Sequence, residues 1–372
     1  MDKSVITRVV TVAGGRFAPG HLGELTRQVP FEMVDAVLEE TCRLQRRVRD
    51  LPARVVVYLL LAGCLFAELG YSRVWRKLTA GLEGLPSAMP TASAMTQARR
   101  RLGPGPLREL FFLLRGPSPA GARWRGLLVC AVDGTVVTVA DSAANLAVYA
   151  KQRGGPAGGS SYPHLRLVAL VSCGTRTVID AVFGPCSSGE TAYAADLLRS
   201  LHSGMLLLAD RYFGSGPLAA QTAATKAGFL IRVRTGSNGP KLPAVRRLPD
   251  GSRLSRFGGV PVRVIDAAWT VTTSTGRVTG GCRLVTTLTD AARFPASDLA
   301  VLYHRRWEVE TAYLEFKSTI LGGRVLRART PTASSRRFTP CSSPTRPSAP
   351  PSRTPPRPSR APTPTGPASP SP

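Results

Sequence analysis

"HLRLVALVSCGTRTVIDAVFG", residues 164–184, decides how this chain folds. Two β-rich runs flank Gly174 and Thr175, a pairing that predicts an antiparallel hairpin. Upstream, "GLLVCAVDGT" (126–135) is a short apolar run that ends on an acid, Asp133. Downstream, "GETAYAADLLRSLH" (189–202) reads as helix. "GMLLLADRYF" (204–213) is a second apolar run that stops at an acid, Asp210. "SGPLAAQTAATKAG" (215–228) then reads as helix and "FLIRVRT" (229–235) as strand.

Three strands, helix, strand, helix, strand is the order of a ribonuclease H-like α/β fold. In such a sheet the two aspartates stand at strand ends beside one another, where open crevices form. Residues 235 to about 290 are rich in turns and short β segments and predict an all-β insertion. Ser297 offers an N-cap for a helix running through Lys317 to Gly322 and Gly323. Before the sheet, residues 20–115 read as helical, with Met33, Val37, Leu38 and Leu44 on one helical period. The apolar run "VVVYLLLAGCLFAEL" (55–69) is too short to span a bilayer and predicts a buried helix. Three parts result: a helical N-terminal region (1–120), the α/β region (124–330, insertion at about 235–290) and a Pro/Ser/Arg-rich tail (331–372). The tail has no acid and no Leu, Ile, Val or Met, so it cannot bury a core and is expected to be disordered. Its abrupt start after "VLRART" points to a shifted reading frame in a GC-rich gene, which sequencing that gene would test.

The balance of 49 Lys and Arg against 23 Asp and Glu leaves a formal charge of +26 over 372 residues. Most cations are arginine, suited to bidentate phosphate contacts, and nucleic acid is the expected partner. Arg43, Arg46, Arg47, Arg49, Arg73, Arg76, Lys77, Arg99, Arg100 and Arg101 gather in the helical region, as DNA contacts or as solvated helix faces. Seven scattered cysteines with no CxxC spacing argue against a disulfide framework and a zinc site, and for a reducing cytosol. No signal-peptide block opens the chain, so a cytoplasmic, non-membrane protein is expected.

The stretch "YHRRWEVETAYLEFK" (303–317) carries the chemistry. At about 100° per residue, Tyr303 at zero puts Arg306 near 300°, Glu310 near 340° and Lys317 near 320°. Trp307, Leu314 and Leu321 fall on that side, while Glu308 and Glu315 lie opposite. An Arg306–Glu310 pair one turn apart would be an ordinary surface salt bridge, but a carboxylate on the packing side is costly unless something pairs with it. The fold order brings Glu310 to Asp133 and Asp210, three acids that repel one another without metal. Two divalent ions about 3.5–4 Å apart offset that repulsion and support in-line displacement at phosphorus. Mg²⁺ suits the donor set, with Mn²⁺ as a substitute. Trp307 is expected to pack in the core, with stacking on a displaced base as the alternative. Asp141 reads as a cap or loop acid, Glu190 and Asp196 as solvent-facing, and Tyr162 and His164 as structural.

The spacing Tyr303-x2-Arg306-x3-Glu310-x6-Lys317, with "VDGT" (132–135) and "ADRYF" (209–213) upstream, resembles DDE transposases of the insertion-element-four family. "RFAPGHLGELTRQVPFEMVDAVLEET" (16–41) resembles the helical region that precedes the catalytic domain in bacterial members. The resemblance implies that Asp133, Asp210 and Glu310 bind the metals. It implies that Tyr303, Arg306 and Lys317 contact phosphates near an element's end, with Arg211 as a further phosphate ligand or a surface cation. It further implies cut-and-paste transposition on double-stranded DNA, at terminal inverted repeats and target sites, by a homodimer in the bacterial cytoplasm. Family members would continue past residue 330 with further packing helices, where this chain has its Pro-rich tail. Two rival readings are a catalytically impaired transposase that only binds DNA, and a ribonuclease H-like nuclease.

Overall fold

A computed structural model describes residues 22–45, 49, 51–66, 68–80, 89–116, 123–151, 162–273, 276–320 and 323–335. Among the described residues six helices come first: α1 (Leu22–Gln28), α2 (Phe31–Glu40), α3 (Ala53–Leu65), α4 (Tyr71–Thr79), α5 (Ala92–Leu102) and α6 (Gly105–Leu114). The long apolar run makes α3 the hub of this group, buried all round from Val55 to Cys64. Tyr58 on α3 donates to the Val29 carbonyl at 2.6 Å, and Arg54 pairs with Asp35 of α2. No described helix is long and apolar enough to cross a membrane. Helix α2 stops at Glu40, and Cys42 then takes a left-handed φ of 53°. Leu44, expected on the apolar stripe, therefore lies past the helix and is exposed.

The sheet follows: β1 (Arg123–Trp124), β2 (Leu127–Thr138), α7 (Ala143–Leu146), β3 (His164–Ser172), β4 (Val178–Pro185), α8 (Glu190–Leu197), β5 (Met205–Ala209), α9 (Gly216–Ala224), β6 (Gly228–Val233), β7 (Arg246–Arg247), β8 (Arg253–Phe257), β9 (Val260–Thr273), β10 (Gly276–Thr286), α10 (Ala296–Tyr303) and α11 (Trp307–Glu315). Strand order is β4-β3-β2-β5-β6-β10-β9-β8-β7, with β1 paired to β2. β2, β3 and β4 pair antiparallel, while β2, β5 and β6 run parallel. This is the ribonuclease H-like arrangement that the order of runs predicts. The all-β insertion (β7–β10) does not form a separate layer; β10 pairs with β6 and extends the same sheet.

Strand alternation sorts β2 onto two faces. Val129, Ala131 and Val137 join one core with Val309, Tyr313 and Phe316. Leu128, Cys130 and Val132 join the other, with Ala194 and Leu197 of α8 and Leu218 of α9. Each fully buried aliphatic side chain contributes roughly 1.5–3 kcal/mol, so these two layers fix the helices on opposite faces of one sheet. At the edge, buried Asp180 of β4 bonds Arg199 at 3.0 Å and Ser200 at 2.7 Å and pairs with Arg115 just past α6. That cluster ties the end of the helical region to the sheet.

Four expectations need correction. β2 does not end on Asp133 but continues to Thr138, so the acid lies within a strand. Pro295, not Ser297, caps α10. The single helix expected through Lys317 is interrupted by a 3-10 turn at His304–Arg306 and a π turn at Phe316–Ile320. Finally, residues 331–335, placed in the tail, form a helical turn with Ser334 buried. The rest of the expected tail (336–372), Leu321 and Gly322, and the first 21 residues of the helical region lie outside the described residues.

Candidate active site

Asp133 sits opposite Ala169 in the β2–β3 ladder. Val132 is in parallel register with Ala209, so Asp210, one residue past β5, stands beside Asp133 one strand spacing away, about 4.8 Å. Glu310 approaches from α11, which packs across β2 and β3. Arg306 lies between two of the acids: its guanidinium is 2.8 Å from Glu310 Oε1 and 3.6 Å from Asp133 Oδ2. Both the surface salt bridge and the three-acid site anticipated parts of this. The Arg306–Glu310 pair exists, but Arg306 is buried and serves a second carboxylate.

The electrostatics follow from that crowding. Burial pushes the Asp133 carboxyl up to about 6, the Gly134 N–H and Arg306 oppose the shift, and the charges of Asp210 and Glu310 reinforce it. Burial disfavours the Arg306 charge, yet Tyr303, Glu310 and Asp133 outweigh it and raise the guanidinium's pKa. Burial raises Tyr303, whose hydroxyl stays protonated and donates to the Ala209 carbonyl at 3.2 Å, beside Asp210. The Asp210 carboxylate itself accepts from Tyr212 N–H at 2.6 Å.

The expected Tyr-Arg-Glu-Lys stripe divides. Tyr303, Arg306 and Glu310 gather at the aspartates. Lys317, in the π turn, is pushed down by burial and lies near His164 at the start of β3, whose own pKa falls through burial and then the Lys317 charge. Trp307 is 58% exposed rather than in the core, with the Arg306 guanidinium 5.3 Å from its ring. Leu314 is 65% exposed, so the packing side is instead Val309, Tyr313 and Phe316. Glu308 and Glu315 point to the β3–β4 turn: Glu308 accepts from Gly174 N–H, and Glu315 pairs with Arg176 at 2.8 Å. Arg211 is exposed, stacked 5.3 Å over Tyr212, and lines a depression of about 260 Å³ with Arg232 and Arg234. Asp141 pairs with Lys151 at 2.8 Å, in line with a loop role.

Sequence reasoning missed two residues. Tyr313 accepts from Ala169 N–H at 2.9 Å and donates to the Asp133 carbonyl at 2.6 Å, bridging both strands at the acid. Only its place on the buried side, visible once the 3-10 turn is included, would have signalled it. Glu190 does not simply face solvent: its carboxyl fills the space where a side chain on Gly134 would stand, 3.8 Å from Arg166.

The donor set, three carboxylates among which Asp133 is raised first by burial and then by the charges of Asp210 and Glu310, has the chemistry a divalent cation satisfies. With Arg306 between Asp133 and Glu310, no three potential ligands among the described residues are drawn together closely enough to hold a metal as they stand.

Comparison with known proteins follows the same division of the chain. Residues 19–112 match the family described as insertion element 4 transposase N-terminal, and residues 124–339 match the transposase DDE domain. The transposase InsG for insertion sequence element IS4 of Escherichia coli (strain K12) is 28% identical over 319 residues, 81% of this chain and 70% of its own length. InsZ of the same organism is 27% identical over 197 residues, 51% of this chain and 64% of its own. Among solved structures, the piggyBac transposase synaptic complex with hairpin DNA matches at a TM-score of 0.46 and 12% identity, over 89% of this chain and 74% of that one.

Proposed function

The chain belongs to the DDE transposases, enzymes that cut and transfer DNA and depend on divalent metal, and on that premise we propose that Asp133, Asp210 and Glu310 are its metal-binding catalytic acids. The observation that supports this reading is the geometry: the Val132–Ala209 register puts Asp133 beside Asp210, and one guanidinium, Arg306, lies 2.8 Å from Glu310 and 3.6 Å from Asp133. We assign Mg²⁺ as the working ion, with Mn²⁺ able to replace it. Bound there, the ions would supply activation of the attacking hydroxyl and stabilisation of the leaving oxygen at phosphorus.

The chain's own residues do the rest. The β2–β5 register sets Asp133 and Asp210 side by side, and α11 delivers Glu310 from the third direction. Arg306 neutralises part of the acid charge before DNA arrives and offers guanidinium protons to a phosphate oxygen afterwards. Tyr303, protonated and beside Asp210, and Arg211 are further donors to the strand being cut. Lys317, displaced toward His164, suits a phosphate farther along the same strand. Trp307 exposes its ring next to Arg306, and we assign it to stacking on a base lifted from the duplex. The DNA so handled would be the element's terminal inverted repeats and then a target site. Two ends call for two copies of the chain; a paired-end complex that contains one copy by mass would overturn that point.

The test is cleavage of duplex DNA carrying the element's ends, with Mg²⁺ or Mn²⁺. Glu310→Gln is expected to lose nicking while keeping DNA binding. Glu308→Gln is expected to nick normally, because an amide oxygen still accepts from Gly174. Wild-type nicking by Glu310→Gln, or equal loss in both variants, refutes the assignment. Binding of ends by a folded wild-type chain that never nicks would favour a role in DNA binding alone.

A further inference from the structure

A second basic feature lies away from the acids, between the N-terminal helices and the segment that follows α11. It is a cleft of about 380 Å³ with Leu60 and Tyr71 in its wall and Arg99, Arg100, Arg327 and Arg329 around it. Among the described residues no acid lines it, and Thr330 adds a hydroxyl donor, whereas the Thr96 hydroxyl already donates to the Ala92 carbonyl at 2.8 Å. Arg99 is already oriented: it stacks 4.0 Å over Tyr71, donates to the Met95 carbonyl at 3.2 Å and to Thr96 at 3.1 Å. Arg100, Arg327 and Arg329 are exposed, and none has an ion pair among the described residues.

The far wall is fixed by backbone, not left to drift. Leu326 bridges in parallel to Val139, with Ala140 N–H donating to its carbonyl at 3.0 Å and its own N–H reaching Thr138 at 2.9 Å. Fully buried Asn145 donates to the Ala328 carbonyl at 2.8 Å and to Ala140 at 2.9 Å. Ser142 donates to the Arg329 carbonyl at 2.7 Å. These bonds alternate the chain so that Leu326 is buried while Arg327 and Arg329 project outward. Arg100, Arg327 and Arg329, exposed and without an ion pair among the described residues, concentrate positive charge that an anion filling the gap would complement. Repeated phosphates along a duplex have the charge and the reach to do so.

We propose that this cleft grips the sugar-phosphate backbone of duplex DNA, so that the helical region and the α11 extension hold one DNA segment jointly. The inference rests on the reading of the chain as a DNA-cutting enzyme, and adds to it a contact that sets where the duplex enters. The contact reads no bases; it holds position.

The test is duplex binding by the full chain across about 50 to 200 mM salt, comparing wild type with Arg100→Gln/Arg327→Gln/Arg329→Gln. Each lost phosphate contact lowers the slope of log K against log salt by about 0.9, so the triple variant should be shallower by about 2.7. Its thermal unfolding should match wild type, since all three side chains are exposed. An unchanged slope and affinity in the folded triple variant, while wild type binds DNA, overturns the proposal and leaves the catalytic assignment intact. An unchanged slope with altered self-association overturns it too, and gives the cleft to a second copy of the chain. Glu310→Gln is the independent arm: it should keep the wild-type slope without nicking. If it nicks, the catalytic assignment fails while the cleft is still judged by its slope.

Discussion

Tyr313→Phe isolates one oxygen atom that joins the fold to the chemistry. The ring of Tyr313 is packed in the core below the sheet, and phenylalanine refills that volume without a cavity. What disappears is a hydroxyl that accepts from Ala169 N–H and donates to the Asp133 carbonyl. Each buried backbone group left without its partner costs roughly 1–3 kcal/mol, so the pair costs about 2–4 kcal/mol after local relaxation. For a chain of this size that is a fall in Tm of roughly 3–6 °C. The same loss frees the backbone that aims the Asp133 carboxylate. Outer contacts of metal ligands typically govern affinity by about 10–100-fold, so the Mg²⁺ concentration for half-maximal nicking should rise by about that factor. Two assays run side by side, thermal unfolding without metal and nicking against a Mg²⁺ titration. A Tm within about a degree of wild type refutes the stability argument. A lowered Tm with an unshifted Mg²⁺ requirement refutes the claim that Tyr313 positions the acid.

Two further expectations follow from buried charge. Asp180→Asn should cost about 2–4 kcal/mol, the low end for a broken buried pair, because Arg199 is half exposed and screened. Burial alone would raise Asp180, but Arg199, Ser200 and Arg115 hold it below the ordinary 3.8. Its stabilisation is thus present above pH 3.8 and lost as pH falls, so acid unfolding should be less steep in the variant; an unchanged acid limb would count against the cluster. Asp133 has the opposite sign. A folded pKa near 6 against the usual 3.8 gives stability below pH 3.8 that is lost as pH rises through about 6, up to about 3 kcal/mol. Metal-free wild type should therefore lose stability across that window and Asp133→Asn should not, while Mg²⁺ should raise Tm more at pH 7.5 than at pH 5. Equal Mg²⁺ shifts at the two pH values would refute the link.

The succession of strands and helices was legible because each element has its own period and its own boundary residue. Apolar runs such as "MLLLA" (205–209) close against an acid, and Gly174 marks the one tight turn between β3 and β4. Pairing between distant elements left no such local mark. Nothing in β10 announces that it will bond to β6, which is why the insertion read as a separate patch. The length of β2 was hidden as well, since Gly134 and Thr135 look like a turn yet pair with Val168 and Leu167.

The error at Trp307 is more instructive because it is geometric. A uniform helix from Tyr303 onward would bury Trp307, but His304–Arg306 is a 3-10 turn. Three residues advancing about 120° instead of about 100° shift the phase by about 60°. That rotation carries Trp307 and Leu314 out of the core and brings Val309, Tyr313 and Phe316 into it. Arg306 and Glu310 keep their mutual contact, which spans one turn and survives any rotation of the helix as a body. The spacing therefore named the charged group correctly and misplaced its surroundings.

The interrupted helix also explains how three charged edges can be satisfied at once. Val309 and Tyr313 bind the helix to the sheet. Glu308 and Glu315 tie it to the β3–β4 turn, and Arg306 draws Glu310 toward Asp133. A straight helix could not present all three sets, because the packing stripe of the wheel would coincide with the carboxylate that must reach the acids. The local break thus resolves a conflict between burial and charge. Restoring regular α geometry there would pull Trp307 inward and swing the Arg306–Glu310 pair away from Asp133, even with every residue of the signature retained.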